Sequence, residues 1–333
     1  MNQEYTNFQN EIHERKAPVS VGKVRWNIGL IAFAVVLIYL LAAVVQILAY
    51  EYLSANAPAV IENDWFWMAY ATLPLYCAMP IAYLLLRLLP AHAPQKQKIS
   101  PFMWFGFLFL FFALSYFFSY LGQIFGAWFY ELTNLEVENE VAQMTSVMPL
   151  GANILFVGIL GPIFEELFYR KVIVDRLRGY GDLPAILISG LIFSLVHGNL
   201  DQIFYTMAGG MLFGFIYVYT GNVLCTISIH IAFNMIGGVY PTEIARRLGD
   251  ALVPAEDDTV GIIMVLAYGA FIVLSLVVGT VFYLFNAKRF HRSLKKGEHT
   301  LRFDDWMNAI FVNPGMWLFL AMIAFLIVFS FIT

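Results

Sequence analysis

Apolar runs of membrane-spanning length recur along the whole chain, separated by short polar segments. About 20 apolar residues at 1.5 Å rise per residue cover the ~30 Å hydrocarbon core of a bilayer. Stretches near that length fall at 27–49, 65–88, 102–127, 149–174, 183–199, 202–219, 223–240, 260–285 and 311–332. The pattern predicts an all-α, polytopic transmembrane helical bundle of about 8–9 spans. The first run has full membrane length, unlike the short core of a signal peptide, so it reads as an uncleaved span. Three parts are expected: 1–148 with a polar tail and three spans, 149–240 as a four-helix core, and 241–333 with the last spans and a basic loop.

Composition agrees with the pattern. Of 333 residues 60% are hydrophobic and 13% charged, against about 25% charged in soluble domains. A formal charge of −4 argues against a nucleic-acid partner. Cys77 and Cys225 both lie in apolar runs, which speaks against a disulfide framework or a cysteine zinc site.

The sign of the loops sets an expected orientation. His13, Arg15, Lys16, Lys23 and Arg25, then Arg87/Lys96/Lys98, Arg170/Lys171/Arg176/Arg178 and Lys288/Arg289/Arg292/Lys295/Lys296 all fall on one side. Glu51/Glu62/Asp64, Glu131/Glu136/Glu138/Glu140 and Glu256/Asp257/Asp258 fall on the other. Lys and Arg gather on the cytoplasmic side, so the N-terminus is expected inside and the C-terminus outside. The segment 286–310 is expected as the longest polar connection after the tail, lying on the cytoplasmic membrane surface.

Against so apolar a background, Glu165, Glu166, His197 and His230 stand out. An ionisable group at the bilayer centre costs at least about 2.5–3.5 kcal/mol, so it usually faces a partner or a wet cavity. Helix arithmetic tests whether they meet. Glu165 lies roughly 20 Å inward from Arg178, and His197 about 21 Å inward from Leu183. His230 and Asn234 come to about 12 and 18 Å from the turn at Gly221-Asn222. Spacing adds detail. Glu166 and Arg170, four apart, can form an ion pair, while Glu165 points about 100° away and stays available. Phe193 and His197 repeat the four-residue spacing, as do His230 and Asn234, with Phe193 as a wall of the site. Ser189, Gly209, Gly210 and Gly214 read as close helix contacts.

Glu165-Glu166-x-x-x-Arg170, Phe193-x-x-x-His197 and His230-x-x-x-Asn234 together resemble the signature of the CPBP (Abi) family. These are intramembrane proteases related to the type II CAAX prenyl endopeptidases and to bacteriocin-processing and immunity proteins. The resemblance covers roughly 150–240. It implies hydrolysis in or at the membrane, with Glu165 as general base, His197 as its partner, and His230 and Asn234 as hydrogen-bond donors to the oxyanion. Glu166 and Arg170 belong to the same motif. The implied partners are membrane lipid and a membrane-associated peptide, a prenylated CAAX-type one among them. A bacterial cell membrane is the expected location.

The family is labelled metalloprotease, and Glu165, His197 and His230 could supply a three-ligand zinc site. The chain lacks His-Glu-x-x-His, since His13-Glu14 has no second histidine at the needed spacing, and metal-free water activation uses the same residues. Two other classes share these residue types: a non-catalytic scaffold or immunity protein, and a proton-coupled transporter with a Glu/His relay.

Overall fold

Each of the first three long helices begins at a residue whose side chain holds a backbone N–H that the helix leaves unpaired. In the computed structural model, Ser20 accepts from Lys23 N, Asn63 from Trp65 N and Ser100 from Met103 N, as N-caps do. Residues 20–135, 140–249, 253–255, 257–299, 301–329 and 331 are described. His13, Glu14, Arg15 and Lys16 of the tail, Glu136 and Glu138 of the acidic loop, and Glu256 lie outside them.

The helices are α1 (Val21–Asn56), α2 (Pro58–Ile61), α3 (Asp64–Leu86), α4 (Pro101–Thr133), α5 (Glu140–Val147), α6 (Leu150–Tyr180), α7 (Asp182–Leu195), α8 (Ile203–Thr220), α9 (Val223–Leu248), α10 (Thr259–Ser293), α11 (Phe303–Phe311) and α12 (Pro314–Phe329). Among the described residues, α1, α3, α4, α6, α8, α9 and α10 are long and apolar enough to cross a membrane. The pair α11 and α12, bent by 64°, gives an eighth. The chain is an all-α, multi-pass integral membrane protein.

Two of the nine apolar stretches take a different form from their hydropathy. The run at 183–199 is helical only to Leu195, and its 14 residues rise about 21 Å, short of a full crossing. The chain then turns through 196–202 with Gly198 at φ +65°. The run at 311–332 is broken at Val312-Asn313, where the Asn313 carboxamide oxygen accepts from Gly315 N and Met316 N and starts α12. The polar stretch 286–310 is shorter than its composition suggests, because α10 runs on to Ser293 and α11 occupies Phe303–Phe311.

Lipid tails remove the hydrophobic drive between helices, so close packing and small residues hold them together. α1 packs on α3, α11 and α12; α4 packs on α8 and α10; α7 packs on α8. The α7–α8 contact passes through Gly190 and Gly210. A Cβ on Gly210 would stand 3.1 Å from Gly190 Cα, and one on Gly190 would stand 2.8 Å from Met211 N. A second interior region joins α4, α8, α9 and α10 through phenyl rings packed both edge to face and face to face, with Phe107, Phe111, Phe112, Phe213, Phe282 and Phe290 all buried. Leucine, valine and phenylalanine exposed along α1 and α10 form the surface that lipid covers.

Candidate active site

α6 carries the acid pair, and its winding separates the two carboxylates. Asn153–Leu160 and Glu166–Val174 are π-helical, and between them Gly161–Glu165 is α-helical and contains Pro162, which has no N–H to give the ladder. Wider turns of this kind concentrate at functional sites. Glu165 ends the α segment and Glu166 starts the next turn. The Glu166 side chain is fully buried, while that of Glu165 is 26% exposed.

Glu166 belongs to a dry cluster. It accepts from Arg170 Nε at 3.2 Å and pairs with His230 Nδ1 at 3.1 Å. Arg170 Nη1 donates to Ser189 Oγ at 3.1 Å, and Ser189 passes its own hydrogen to the Tyr169 carbonyl at 2.9 Å. The guanidinium lies 4.7 Å from the Phe193 ring centre and 5.7 Å from that of Phe213. Among the described residues its Nη2 has no hydrogen-bond partner, so the ring faces provide the remaining contact, as they do for cations generally. The cluster offsets one buried cation with one buried carboxylate, the condition on which such a group is tolerated at all.

Glu165 opens onto a cavity of about 480 Å³ lined also by Phe193, His197, His230 and Asn234. That volume lies within the range of small-ligand pockets. Glu166 and Arg170 stand behind the cavity wall. His197 occupies the turn after α7, and its Nδ1 lies 2.7 Å from the Phe193 carbonyl oxygen. A carbonyl only accepts, so Nδ1 carries the hydrogen and Nε2 of the neutral ring offers a lone pair. The Phe193 ring meets the imidazole edge to face at 4.9 Å. His230 is held through Nδ1 by Glu166, and its Nε2 is 3.8 Å from Glu165 Oε2, beyond direct hydrogen-bond reach. Asn234 Nδ2 donates one hydrogen to the Val157 carbonyl at 2.8 Å and keeps a second.

The zinc reading requires three ligands gathered on one point. Among the described residues no three His, Cys, Asp or Glu side chains form such a group. The candidate ligands Glu165, His197 and His230 therefore share a cavity without forming a zinc-type set.

Several neighbours carry no sequence signal. Tyr39, Tyr76, Tyr169 and Tyr205 line the cavity near Glu165. Tyr39 comes from the first span and donates to the Val196 carbonyl at 2.6 Å, fixing the residue before His197. Ser189, expected as a packing residue, is the hydroxyl that holds Arg170. Aromatic residues are too frequent in this chain, with 18 Tyr and 31 Phe, for these four to stand out by type.

A multi-pass helical membrane protein with an acid, two imidazoles and an amide around one internal cavity is the class that fold and site define. Over residues 148–236, which contain all seven motif residues, the chain matches the model of the type II CAAX prenyl endopeptidase Rce1-like family. It is 31% identical over 113 residues to the "Putative membrane peptidase YdiL" of Bacillus subtilis (strain 168), covering 34% of this chain and 46% of that protein. It is 35% identical over 88 residues to the membrane-embedded CAAX protease MroQ of Staphylococcus aureus (strain USA300), covering 24% of this chain and 36% of that one. The chain thus spans less than half the length of either relative. No solved structure matches it.

Proposed function

We propose that the chain is an intramembrane endopeptidase that hydrolyses membrane-associated or amphipathic peptides, prenylated CAAX-type ones included, with water activated by Glu165 and His197. One observation carries the reading: of two adjacent glutamates, only Glu165 opens onto the cavity that His197, His230 and Asn234 share. The names of the two relatives, a membrane peptidase and a CAAX protease, support it.

The chemistry follows from the hydrogen inventory. The Glu165 carboxylate takes one proton from water as the water oxygen bonds to the peptide carbonyl carbon, and His197 Nε2 accepts the second hydrogen and orients the molecule. The carbonyl electron pair moves onto its oxygen. The second Nδ2 hydrogen of Asn234 donates to that oxyanion. His230 donates as well when it is an imidazolium, with one N–H on Glu166 and the other toward the cavity. Collapse breaks the C–N bond, and Glu165 returns its proton to the departing amine. A general base contributes about 10²–10⁴-fold and each oxyanion donor about 10²–10³-fold. No step requires a metal. The loop charges support a cytoplasmic N-terminus and a site reached from that side and from the bilayer, in a bacterial cell membrane.

The test is cleavage of a lipid-modified, membrane-anchored peptide by purified protein in liposomes, with wild type, Glu165→Gln and His197→Ala compared. Activity is expected to fall by at least about 10²-fold in Glu165→Gln and to be strongly reduced in His197→Ala. Full activity in both variants sinks the mechanism. A reporter joined to the N-terminus and found outside the cytoplasm overturns the orientation.

A further inference from the structure

Thirteen residues beyond Glu165 on the same helix, about 20 Å along its axis, a second cleft of about 220 Å³ opens where three long helices end. Arg178 comes from the last turn of α6, Tyr219 from the end of α8, and Arg289 from the end of α10. Lys295 follows α10, and Gln95 and Gln97 come from the linker between α3 and α4. Asp182 is the acid in the lining.

Charge in the cleft is unbalanced. Three cations, Arg178, Arg289 and Lys295, face one carboxylate, a formal excess of 3 − 1 = +2. The carboxylate is already engaged on both oxygens. Asp182 Oδ1 accepts from Arg178 Nε at 2.8 Å, and Oδ2 accepts from the Lys295 backbone N–H at 2.8 Å. It is also buried, with its side chain 3% exposed. Nearby helix-end carbonyls are occupied too, Arg178 O by Gly181 N–H and Thr220 O by Gln97 N–H. Among the described residues Arg289 and Lys295 have no ion-pair partner. The Arg289 guanidinium lies 5.7 Å from the Tyr219 ring, which leaves its edge hydrogens unspent.

We propose that this cleft binds a phosphate-bearing anion, taken either as the headgroup of an anionic phospholipid or as free phosphate. The chemistry is specific. A planar guanidinium offers two parallel N–H groups to phosphate oxygens, and an ammonium adds a point charge. The volume is below that of drug-sized pockets and suits a headgroup-sized ion. Basic pockets between transmembrane helices at the cytoplasmic surface are where such headgroups bind. Occupancy would tie the 94–97 linker and the loop after α10 to the end of the helix that carries Glu165.

The experiment uses the full chain in detergent, following its unfolding temperature against short-chain phosphatidylglycerol, short-chain phosphatidylcholine and inorganic phosphate. Wild type is compared with Arg289→Gln/Lys295→Gln and with Lys288→Gln/Lys296→Gln, which removes the same charge from side chains outside the cleft. Phosphatidylglycerol is expected to raise the midpoint saturably in wild type and control, with half-saturation shifted about tenfold or more in the cleft variant. A response to phosphatidylglycerol with silence from inorganic phosphate assigns the lipid headgroup. A saturable response to inorganic phosphate that competes with the lipid assigns free phosphate. No saturable response in wild type to either anion overturns the proposal, whatever the variants do. So does an equal shift in the cleft and control variants, which marks diffuse surface attraction.

Discussion

Glu165 and Glu166 are consecutive residues in opposite environments, and the comparison separates what holds the site from what acts in it. On the inner face Glu166, Arg170, Ser189 and His230 hold one another, and both charges of the Glu166–Arg170 pair are fully buried. On the outer face Glu165 has, among the described residues, no hydrogen-bond or ion-pair partner closer than His230 Nε2 at 3.8 Å and borders a cavity. The inner set costs desolvation and fixes geometry; the outer carboxylate keeps its lone pairs for a ligand. His230 joins the two, with one nitrogen on each side. The protein thereby orients an imidazole toward the cavity without using the acid that faces it.

The largest expected break in this arrangement is Arg170→Met. It leaves the buried Glu166 carboxylate without its cation, and losing one partner of a buried pair costs about 3–5 kcal/mol. Thermal or denaturant unfolding in detergent measures this. Glu165→Gln, on the other face, should leave the unfolding midpoint near wild type while it abolishes cleavage. The double variant Glu166→Met/Arg170→Met should recover much of the lost stability, because removing both charges removes the unpaired one. If Glu165→Gln destabilises as much as Arg170→Met, the division into a holding face and an acting face is wrong.

Ser189→Ala sharpens the same comparison at smaller scale. Arg170 Nη1 loses its acceptor, and Nη2 already has none. One buried donor left unmet costs about 1–3 kcal/mol. The variant should lower stability less than Arg170→Met does. Retained stability would mean that the ring faces of Phe193 and Phe213 suffice to hold the guanidinium.

The sequence carried one face of the site better than the other, for a physical reason. Glu165, His197 and His230 were legible because ionisable residues are rare in apolar runs and each costs enough to need a purpose. The spacing of Glu166 and Arg170 announced a pair, and the pair is present. Ser189 and Tyr39 gave no such contrast, since a small hydroxyl or a phenol in a membrane helix is ordinary. Nor does hydropathy mark where a helix stops: 183–199 reads as one span, yet α7 ends at Leu195 and His197 sits in a turn. The break runs through Gly198, whose φ is positive. The π-helical winding of α6 on either side of Gly161–Glu165 has no residue pattern that announces it.

The smallest predicted effect lies away from both faces, at the start of α10, and tests whether a polar contact outside the bilayer behaves differently from the buried set. Asp258 caps that helix, accepting from Gly261 N at 3.0 Å, and binds Arg247 through both oxygens, Nε to Oδ2 at 2.8 Å and Nη2 to Oδ1 at 2.5 Å. The Arg247 hydrogen bonds, followed by that of Gly261, hold the Asp258 carboxyl below its usual range. A carboxyl depressed in the folded state contributes stability above its unfolded pKa, and that contribution is lost as pH falls through the folded value. The unfolding midpoint of wild type should therefore exceed that of Asp258→Asn at neutral pH, with the gap closing as pH drops below the carboxylate range. Salt should narrow it further, because the contact is open to solvent. A gap that stays constant with pH would show that Asp258 acts through its shape as a cap and not through its charge.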